Sequence, residues 1–166
     1  MKMKKIFIFL KHYKINTKLL SKKTKYAIHA LVNLAKKQGQ GPVLISTISK
    51  EEKIPQKFLE AILLDLRKAG MLGSKKGKGG GYYIIKQPDK LSLVDVIRLF
   101  DGAIALLPCV SLNYYESCTE CENEAICGLK KVFEELRDRT LDLLKNTTIQ
   151  TVIDKEGKID KLIDRG

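Results

Sequence analysis

The tract Lys75-Lys76-Gly77-Lys78-Gly79-Gly80-Gly81 constrains the fold of this chain more than any other segment. It separates two short β-forming stretches, residues 71–76 and 82–86, and so predicts a hairpin with a tip of glycine and lysine. Glycine lets the backbone adopt positive φ and approach a neighbouring molecule closely, while lysine brings positive charge to the same place. Such a tip indicates contact with a polyanion.

Three helices are predicted directly upstream of the hairpin. The first spans about residues 22–38, and the second is a short helix that Ser46 can cap and that ends near Lys53. The third has Pro55 in its first turn and ends at Gly70. Apolar residues recur at helical spacing in the first helix (Tyr26, Ala27, Ala30, Leu31, Leu34, Ala35) and in the third (Phe58, Leu59, Ile62, Leu63, Leu66). Three helices followed by a basic hairpin predict a mainly α fold with a small β wing, the winged helix-turn-helix.

Two more helices are predicted in the second half of the chain. Ser92 and Asp95 form a capping box at the start of the fourth helix, and Gly102 ends it. The fifth is long and carries a narrow apolar stripe, which indicates a seam for another helix, with packing on its own domain as the alternative. The stripe consists of Leu129, Val132, Phe133, Leu136, Thr140, Leu143 and Leu144. The polar tail from Asn146 is expected to be partly loose.

These elements divide the chain into four predicted segments. Residues 1–19 form an extension, and residues 20–90 form a winged helix-turn-helix domain that binds DNA. Residues 91–146 hold a dimerisation helix and, before it, the cysteine loop, which is the segment 109–127. Residues 147–166 form the C-terminal tail.

Charge is distributed unevenly along the chain. The net charge of the whole chain is +12, yet residues 1–90 carry +16 and residues 91–166 carry −4. This asymmetry indicates that the N-terminal half contacts nucleic acid or, as the alternative, acidic proteins or an anionic membrane surface. No apolar run approaches the roughly 20 residues that cross a bilayer, and the apolar stretch near the N-terminus is too short for a signal peptide. We therefore expect a cytoplasmic protein that is not embedded in a membrane.

All four cysteines of the chain lie within nineteen residues: Cys109, Cys118, Cys121 and Cys127. Because cytoplasmic thiols stay reduced, metal or redox chemistry explains them better than a pair of disulfides. A zinc knuckle has two close cysteine pairs, whereas this segment has one. Iron–sulfur clusters are held by unevenly spaced thiolates on irregular loops, as this segment could supply. On the residues alone, an iron–sulfur cluster, zinc and free thiols all stay open.

No catalytic constellation is found in the sequence. There is no glycine-rich phosphate loop opening a helix and no nucleophile with a plausible base, so we expect a protein that is not an enzyme. Of the two histidines, His29 lies off the apolar stripe of the first helix and is expected at the surface. The acidic residues among the cysteines are expected to form a solvated face, although one could supply an oxygen ligand to a metal; they are Glu116, Glu120, Glu122 and Glu124.

Five segments together resemble the Rrf-two family of bacterial transcription regulators: residues 21–35, 54–72, 77–85, 92–102 and the cysteine segment. The resemblance implies a homodimer whose long helices cross, with each winged helix on one half-site of a palindromic operator in double-stranded DNA. By position it would put Gln56, Lys57 and Glu60 near base edges. Phosphate or minor-groove contacts would come from Lys25, Lys75, Lys76 and Lys78.

The resemblance also implies a use for the cysteines. Three cysteines hold iron in the cluster-binding members of the family, and Cys109, Cys121 and Cys127 fit that pattern. Cys118 is surplus to it and could complete the site, as could an acidic residue of a partner subunit. Lys130 stands where one branch of the family has a histidine ligand.

The function implied is that of a regulator, expected to be a repressor, that uses a two-iron or four-iron cluster. Gain, loss or nitrosylation of the cluster would reshape the loop and change the spacing of the two DNA-reading units. Other members carry no cluster, so zinc or free thiols in the same fold are the alternatives.

Overall fold

The computed structural model describes residues 20–163, which form six α-helices and one two-stranded sheet. The helices are α1 (Lys22–Lys36), α2 (Ile45–Glu51), α3 (Gln56–Lys68), α4 (Leu93–Phe100), α5 (Gly128–Asn146) and α6 (Ile149–Ile163). The strands are β1 (Leu72–Lys75) and β2 (Gly81–Ile84), in an order that confirms the predicted winged helix-turn-helix. Three short 3-10 turns lie at Pro88–Lys90, Pro108–Val110 and Glu124–Ile126. The predicted extension at residues 1–19 falls outside the described residues.

No helix within residues 20–163 combines the length and the apolar character that crossing a membrane requires.

Helix α1 lies at the centre of the fold. It begins at Ser21, whose hydroxyl accepts the N–H of Thr24 at 3.1 Å and so caps the first turn. Ala27, Ala30 and Leu31 have no exposed surface, and small alanine side chains let neighbouring elements come close. As a result α1 contacts α3, α4, α6 and β2 at once.

One hydrophobic core joins the helix-turn-helix, the wing and the C-terminal helix. Its largest buried side chains come from β1, from the connections before α3 and before α4, and from every helix except α5: Leu31, Leu34, Ile48, Ile54, Leu59, Ile62, Leu63, Leu66, Leu72, Leu91, Val96 and Ile149. Full burial of one such side chain stabilises a fold by about 1.5–3 kcal/mol. Helix α5 contributes nothing to this cluster, so it projects a face that the core does not use.

The expectation that the tail after Asn146 is partly loose is wrong for residues 149–163. The tail forms α6, which packs against α1 and buries Ile149 completely. The N–H of Ile149 donates to the carbonyl of Leu91 at 2.9 Å, and Lys36 pairs with Glu156 at 2.7 Å. The polar composition misled the prediction because α6 buries only one face. The division into domains at residues 90 and 146 stays a prediction.

Helix α2 begins earlier than predicted. Ser46 lies inside the helix, and Leu44 occupies the N-cap position without a side-chain cap bond. Val43 and Tyr82 form an antiparallel bridge with two N–H···O bonds of 2.8 Å, which fixes the chain immediately before the helix. The helix also ends earlier than predicted, and Lys53 has a φ of 53° in the turn that leads to α3.

The wing is anchored at the base of its second strand. Strands β1 and β2 are antiparallel, with Leu72 opposite Ile84 and Lys75 opposite Gly81. At Gly81 φ is +146°, and an added Cβ would lie 2.2 Å from the carbonyl oxygen of Val43. Only glycine therefore lets the wing approach the segment before α2 this closely.

We expect Gly81→Ala to destabilise the protein by about 1–3 kcal/mol, because the methyl group would collide with the Val43 carbonyl. Urea unfolding followed by far-UV circular dichroism measures this change. The control is Gly157→Ala inside α6, where no atom lies within 4 Å of an added Cβ. That variant should be more stable than the wild type by up to about 1 kcal/mol, because alanine is the better helix former. Unchanged stability of Gly81→Ala would refute the anchoring contact.

Candidate nucleic-acid interface and cysteine loop

The residues predicted to contact DNA are all exposed. Gln56, Lys57 and Glu60 lie at the start of α3, the second helix of the helix-turn-helix. The four predicted phosphate contacts lie on α1, at the end of β1 and in the wing tip: Lys25, Lys75, Lys76 and Lys78. The structure thus places the start of α3 and the basic wing tip on the outside of the fold. The roles of these residues in DNA binding stay predictions.

One residue of α3 differs from its prediction. Phe58 was expected on the buried face, but 42% of it is exposed. Its ring packs edge-on against Tyr26 of α1, with 5.7 Å between the ring centres. Phe58 therefore closes the seam between α1 and α3 instead of filling the core.

Polar contacts hold α3 against its neighbours. The ammonium of Lys23 on α1 lies 2.8 Å from a carboxylate oxygen of Asp65. At the C-terminal end of α3, Arg67 donates to the hydroxyl of Ser74 in the wing at 3.2 Å. The first contact fixes α3 against α1, and the second fixes α3 against the wing. They have no signal in the sequence, because the first pair is 42 residues apart and the second joins a helix to a strand.

The turn of the helix-turn-helix is fastened to α1 by a buried amide. Asn33 donates through Nδ2 to Glu51 Oε2 and to Glu52 Oε1, at 2.8 Å in both cases. His29 Nδ1 lies 3.4 Å from Glu52 Oε2, and the imidazole is mostly exposed, as predicted. Asn33 itself is buried, so this contact holds the end of α2 in place.

Three of the four cysteines gather near the start of α5. Cys127 is the N-cap residue of α5, and its Sγ accepts the N–H of Lys130 at 3.4 Å. Cys121 Sγ donates to Cys127 Sγ across 3.6 Å. Hydrogen bonding to Cys118 first, and to Cys127 second, raises the pKa of Cys121 to about 12. The backbone N–H of Lys130 lowers the pKa of Cys127, so Cys127 is the thiol that ionises more readily.

The fourth cysteine is held separately. Cys109 is buried in the 3-10 turn Pro108–Val110. Arg137 of α5 donates through Nη1 to the carbonyl of Val110 at 2.5 Å, which ties this turn to the middle of the helix. Both ends of the cysteine loop are therefore fastened to α5.

Glu124 connects the loop to α5. Its Oε1 accepts the N–H of Cys118 at 2.7 Å, and its Oε2 accepts the hydroxyl of Tyr115 at 3.0 Å and the ammonium of Lys130 at 2.6 Å. The bond from Lys130, followed by that from Cys118, lowers the pKa of Glu124 to about 2. The expectation of a solvated face is therefore wrong for Glu124, while Glu116, Glu120 and Glu122 are exposed.

The chemistry of the loop fits a thiophilic metal or an iron–sulfur centre better than a hard cation. Two of its sulfurs, those of Cys121 and Cys127, lie 3.6 Å apart, and the thiol of Cys127 has a lowered pKa. Within residues 20–163, however, no three His, Cys, Asp or Glu side chains form a set that could hold a metal ion as they stand. A metal centre would therefore have to draw the thiols together on binding.

Part of the apolar stripe that was predicted as a seam is exposed on one side of α5. Leu129, Val132, Leu136 and Leu143 are between 44% and 66% exposed and follow one another at steps of three, four and seven residues. Its opposite side packs on α4 and on the turn Pro108–Val110, with Leu141 buried. A large apolar stripe on a projecting helix is typical of a surface that binds another protein.

Comparison with known proteins identifies the family. Residues 20–155 match the Rrf2 family, described as an iron-dependent transcriptional regulator. A Rhodobacter capsulatus protein named as an rrf2-like HTH-type transcriptional regulator is 37% identical over 149 residues, covering 88% of this chain and 99% of the relative. The regulator IscR of Pectobacterium carotovorum is 28% identical over 141 residues, covering 85% and 82% of the two chains.

A solved structure supports the same assignment. The structure of CymR, the global cysteine regulator of Bacillus subtilis, aligns with a TM-score of 0.68 and 27% identity, covering 82% of this chain and 96% of CymR. The fold, the family match and the relatives agree with the resemblance found in the sequence. The chain therefore belongs to the Rrf2 family of winged-helix, DNA-binding transcriptional regulators and is not an enzyme.

Proposed function

We propose that the protein is a homodimeric, cytoplasmic repressor whose affinity for its operator is set by an iron–sulfur cluster. The ligands are Cys109, Cys118, Cys121 and Cys127. The observation that carries the proposal is the gathering of three cysteines at the start of α5, the helix that also bears the exposed apolar stripe. Thiols at this position would hold a cluster next to the helix through which two copies would meet.

The reading unit of this regulator is residues 20–90. Gln56, Lys57 and Glu60 face the major groove, where Glu60 can accept a hydrogen bond from a cytosine amino group. Lys25, Lys75, Lys76 and Lys78 contact phosphates or the minor groove, because they carry exposed positive charge on α1 and at the wing. Two copies joined along α5 present two such units to a palindromic site.

The loop couples the thiols to DNA binding through its position in the chain. It joins α4, whose Val96 lies in the core of the reading unit, to α5, which lies outside that core. When bound, a cluster supplies iron that bonds to several thiolates at once. The thiol positions then determine the path of the loop and with it the angle between α5 and the reading unit. Allosteric coupling of this kind typically amounts to about 1–3 kcal/mol.

A second candidate is the same regulator with zinc or with free thiols. It is favoured by one observation, that the thiols of the described chain are not already arranged as a set of three metal ligands. In that case the Cys121 and Cys127 thiols, 3.6 Å apart, would respond to metal or oxidant without iron.

The two candidates are separated by anaerobic purification followed by iron, sulfide and zinc analysis. We expect a brown protein with visible charge-transfer absorption, and we expect Cys121→Ser to lose most of this absorption because a thiolate ligand is missing. Thr119→Ser, in the same loop, is the matched control and should keep the colour. A protein that stays colourless after reconstitution with iron and sulfide, or that holds zinc in equal amount to protein, would contradict the cluster.

A further inference from the structure

We propose that Glu124 is a positioning residue that holds Cys118 and Cys121 close to Cys127 before any metal binds, and that Lys130 keeps Glu124 in place. This inference deepens the proposed function and rests on it only for the identity of the metal-binding thiols. It assigns a role to two residues that carry no thiol, and it gives Lys130 a task other than ligation.

The first support is the set of partners that one carboxylate collects. Glu124 accepts hydrogen bonds from the backbone of Cys118 at 2.7 Å, from the hydroxyl of Tyr115 at 3.0 Å and from the ammonium of Lys130 at 2.6 Å. Two of these donors lie in the middle of the loop, and the third lies in the first turn of α5. The carboxylate thus joins the middle of the loop to α5, and only the 3-10 turn Glu124–Ile126 lies between these two segments.

The second support is the burial of the ion pair. The side chains of Glu124 and Lys130 are each 18% exposed, whereas every other ion pair among residues 20–160 has at least one partner that is more exposed than this. The ammonium of Lys130 also lies 5.6 Å from the centre of the Tyr115 ring, in reach of a cation–π contact. An exposed ion pair contributes little, but charge-assisted hydrogen bonds withdrawn from water are stronger.

The consequence concerns the thiols. Cys118 is tethered through its own N–H and stands three residues before Cys121, whose Sγ lies 3.6 Å from Cys127 Sγ. Cys127 in turn is fixed as the N-cap residue of α5. Without the tether at Glu124, an irregular loop would have to order itself when the metal binds, at a cost in conformational entropy.

The same contacts explain Lys130. Its ammonium is bonded to Glu124, so it is a donor and not a metal ligand. Its backbone N–H serves Cys127 at the same time. Lys130 thereby holds the Glu124 carboxylate through its side chain and the Cys127 thiol through its backbone N–H.

The test uses full-length, reduced, metal-free protein. Dibromobimane becomes strongly fluorescent only after it has alkylated two neighbouring thiols, and Cd²⁺ titration reports thiolate binding through its ultraviolet charge-transfer band. We expect Glu124→Gln to bind Cd²⁺ about 10-fold or more weakly, as is typical when a residue that orients metal ligands is lost. Cross-linking by dibromobimane should slow several-fold.

The controls distinguish positioning from general damage. Glu122→Gln changes an exposed glutamate of the same loop and should behave like the wild type. Lys130→Met should reproduce the weaker Cd²⁺ binding, whereas Lys130→Arg, which keeps a donor for the carboxylate, should retain most of the wild-type affinity. If Glu124→Gln does not fold by circular dichroism, Lys130→Met decides the question alone.

Wild-type Cd²⁺ affinity and cross-linking in folded Glu124→Gln, or in Lys130→Met where the former does not fold, would overturn the inference. This result is distinct from failure of the proposed function, because thiol proximity is measured without iron and without DNA. A protein that never assembles an iron–sulfur cluster could still lose Cd²⁺ affinity when Glu124 is changed.

Discussion

Replacing Lys76 and Lys78 together by alanine is expected to weaken binding to every duplex by at least about 10-fold near physiological salt. Both side chains are exposed in the wing tip between β1 and β2, where we propose that they contact the phosphate backbone. Removing one lysine–phosphate pair lowers the slope of log affinity against log salt by about 0.9. With four lysines removed from a dimer, the slope should fall by about 2 to 4 units.

Fluorescence anisotropy over a salt series, with an operator and a scrambled duplex, measures this effect. The matched control is Lys155→Ala with Lys158→Ala, which removes the same charge from exposed positions on α6. Changing Glu60 to Gln should alter the preference between sequences and leave the salt slope unchanged. Equal weakening by the α6 control would mean that total charge, and not the wing, governs binding.

The second large effect concerns α5. Val132→Glu combined with Leu136→Glu should convert the proposed dimer to a monomer, because two carboxylates would enter the apolar stripe that we propose a second copy covers. Operator affinity should then fall by about 100-fold or more, since two linked reading units gain roughly 10²–10⁴ over one. Sedimentation velocity gives the oligomeric state, and anisotropy gives the affinity.

The control for this variant is Lys145→Glu on the same helix. It changes the net charge by the same two units, and Lys145 is an exposed residue on the side of α5 away from the exposed stripe. Lys145→Glu should stay dimeric. A dimer that persists with both carboxylates in the stripe would show that the apolar stripe on α5 is not the contact between copies.

Much of the fold could be predicted from the sequence because its signals are local. The capping box at Ser92 is an example, since its hydroxyl accepts the N–H of Asp95 at 3.3 Å as the spacing predicted. The wing followed from glycines and lysines between two β-forming stretches. The helix of the tail could not be predicted in the same way. The burial of Ile149 depends on α1 and on Leu91, which are distant in sequence. The polar residues around Ile149 led to the prediction of a partly loose tail.

In the candidate site, too, the features with local sequence signals could be predicted and the others could not. Exposure of Gln56, Glu60 and the wing lysines followed from helical and hairpin periodicity. The pairing of Glu124 with Lys130 could not be predicted, because two residues six positions apart across an irregular turn show no periodic pattern in the sequence. The four cysteines were evident from their spacing, but only the structure separates the buried Cys109 from the three that gather at α5.

The most direct test is to measure operator affinity on one anaerobic preparation before and after its cluster is removed. Affinity is predicted to change by about 5–150-fold between the two states, which is the range of typical allosteric coupling. Cys121→Ser, treated in the same way, should show one affinity throughout. Identical affinity of the loaded and stripped wild-type protein, with operator binding intact in both, would contradict control of DNA binding by the cysteine loop.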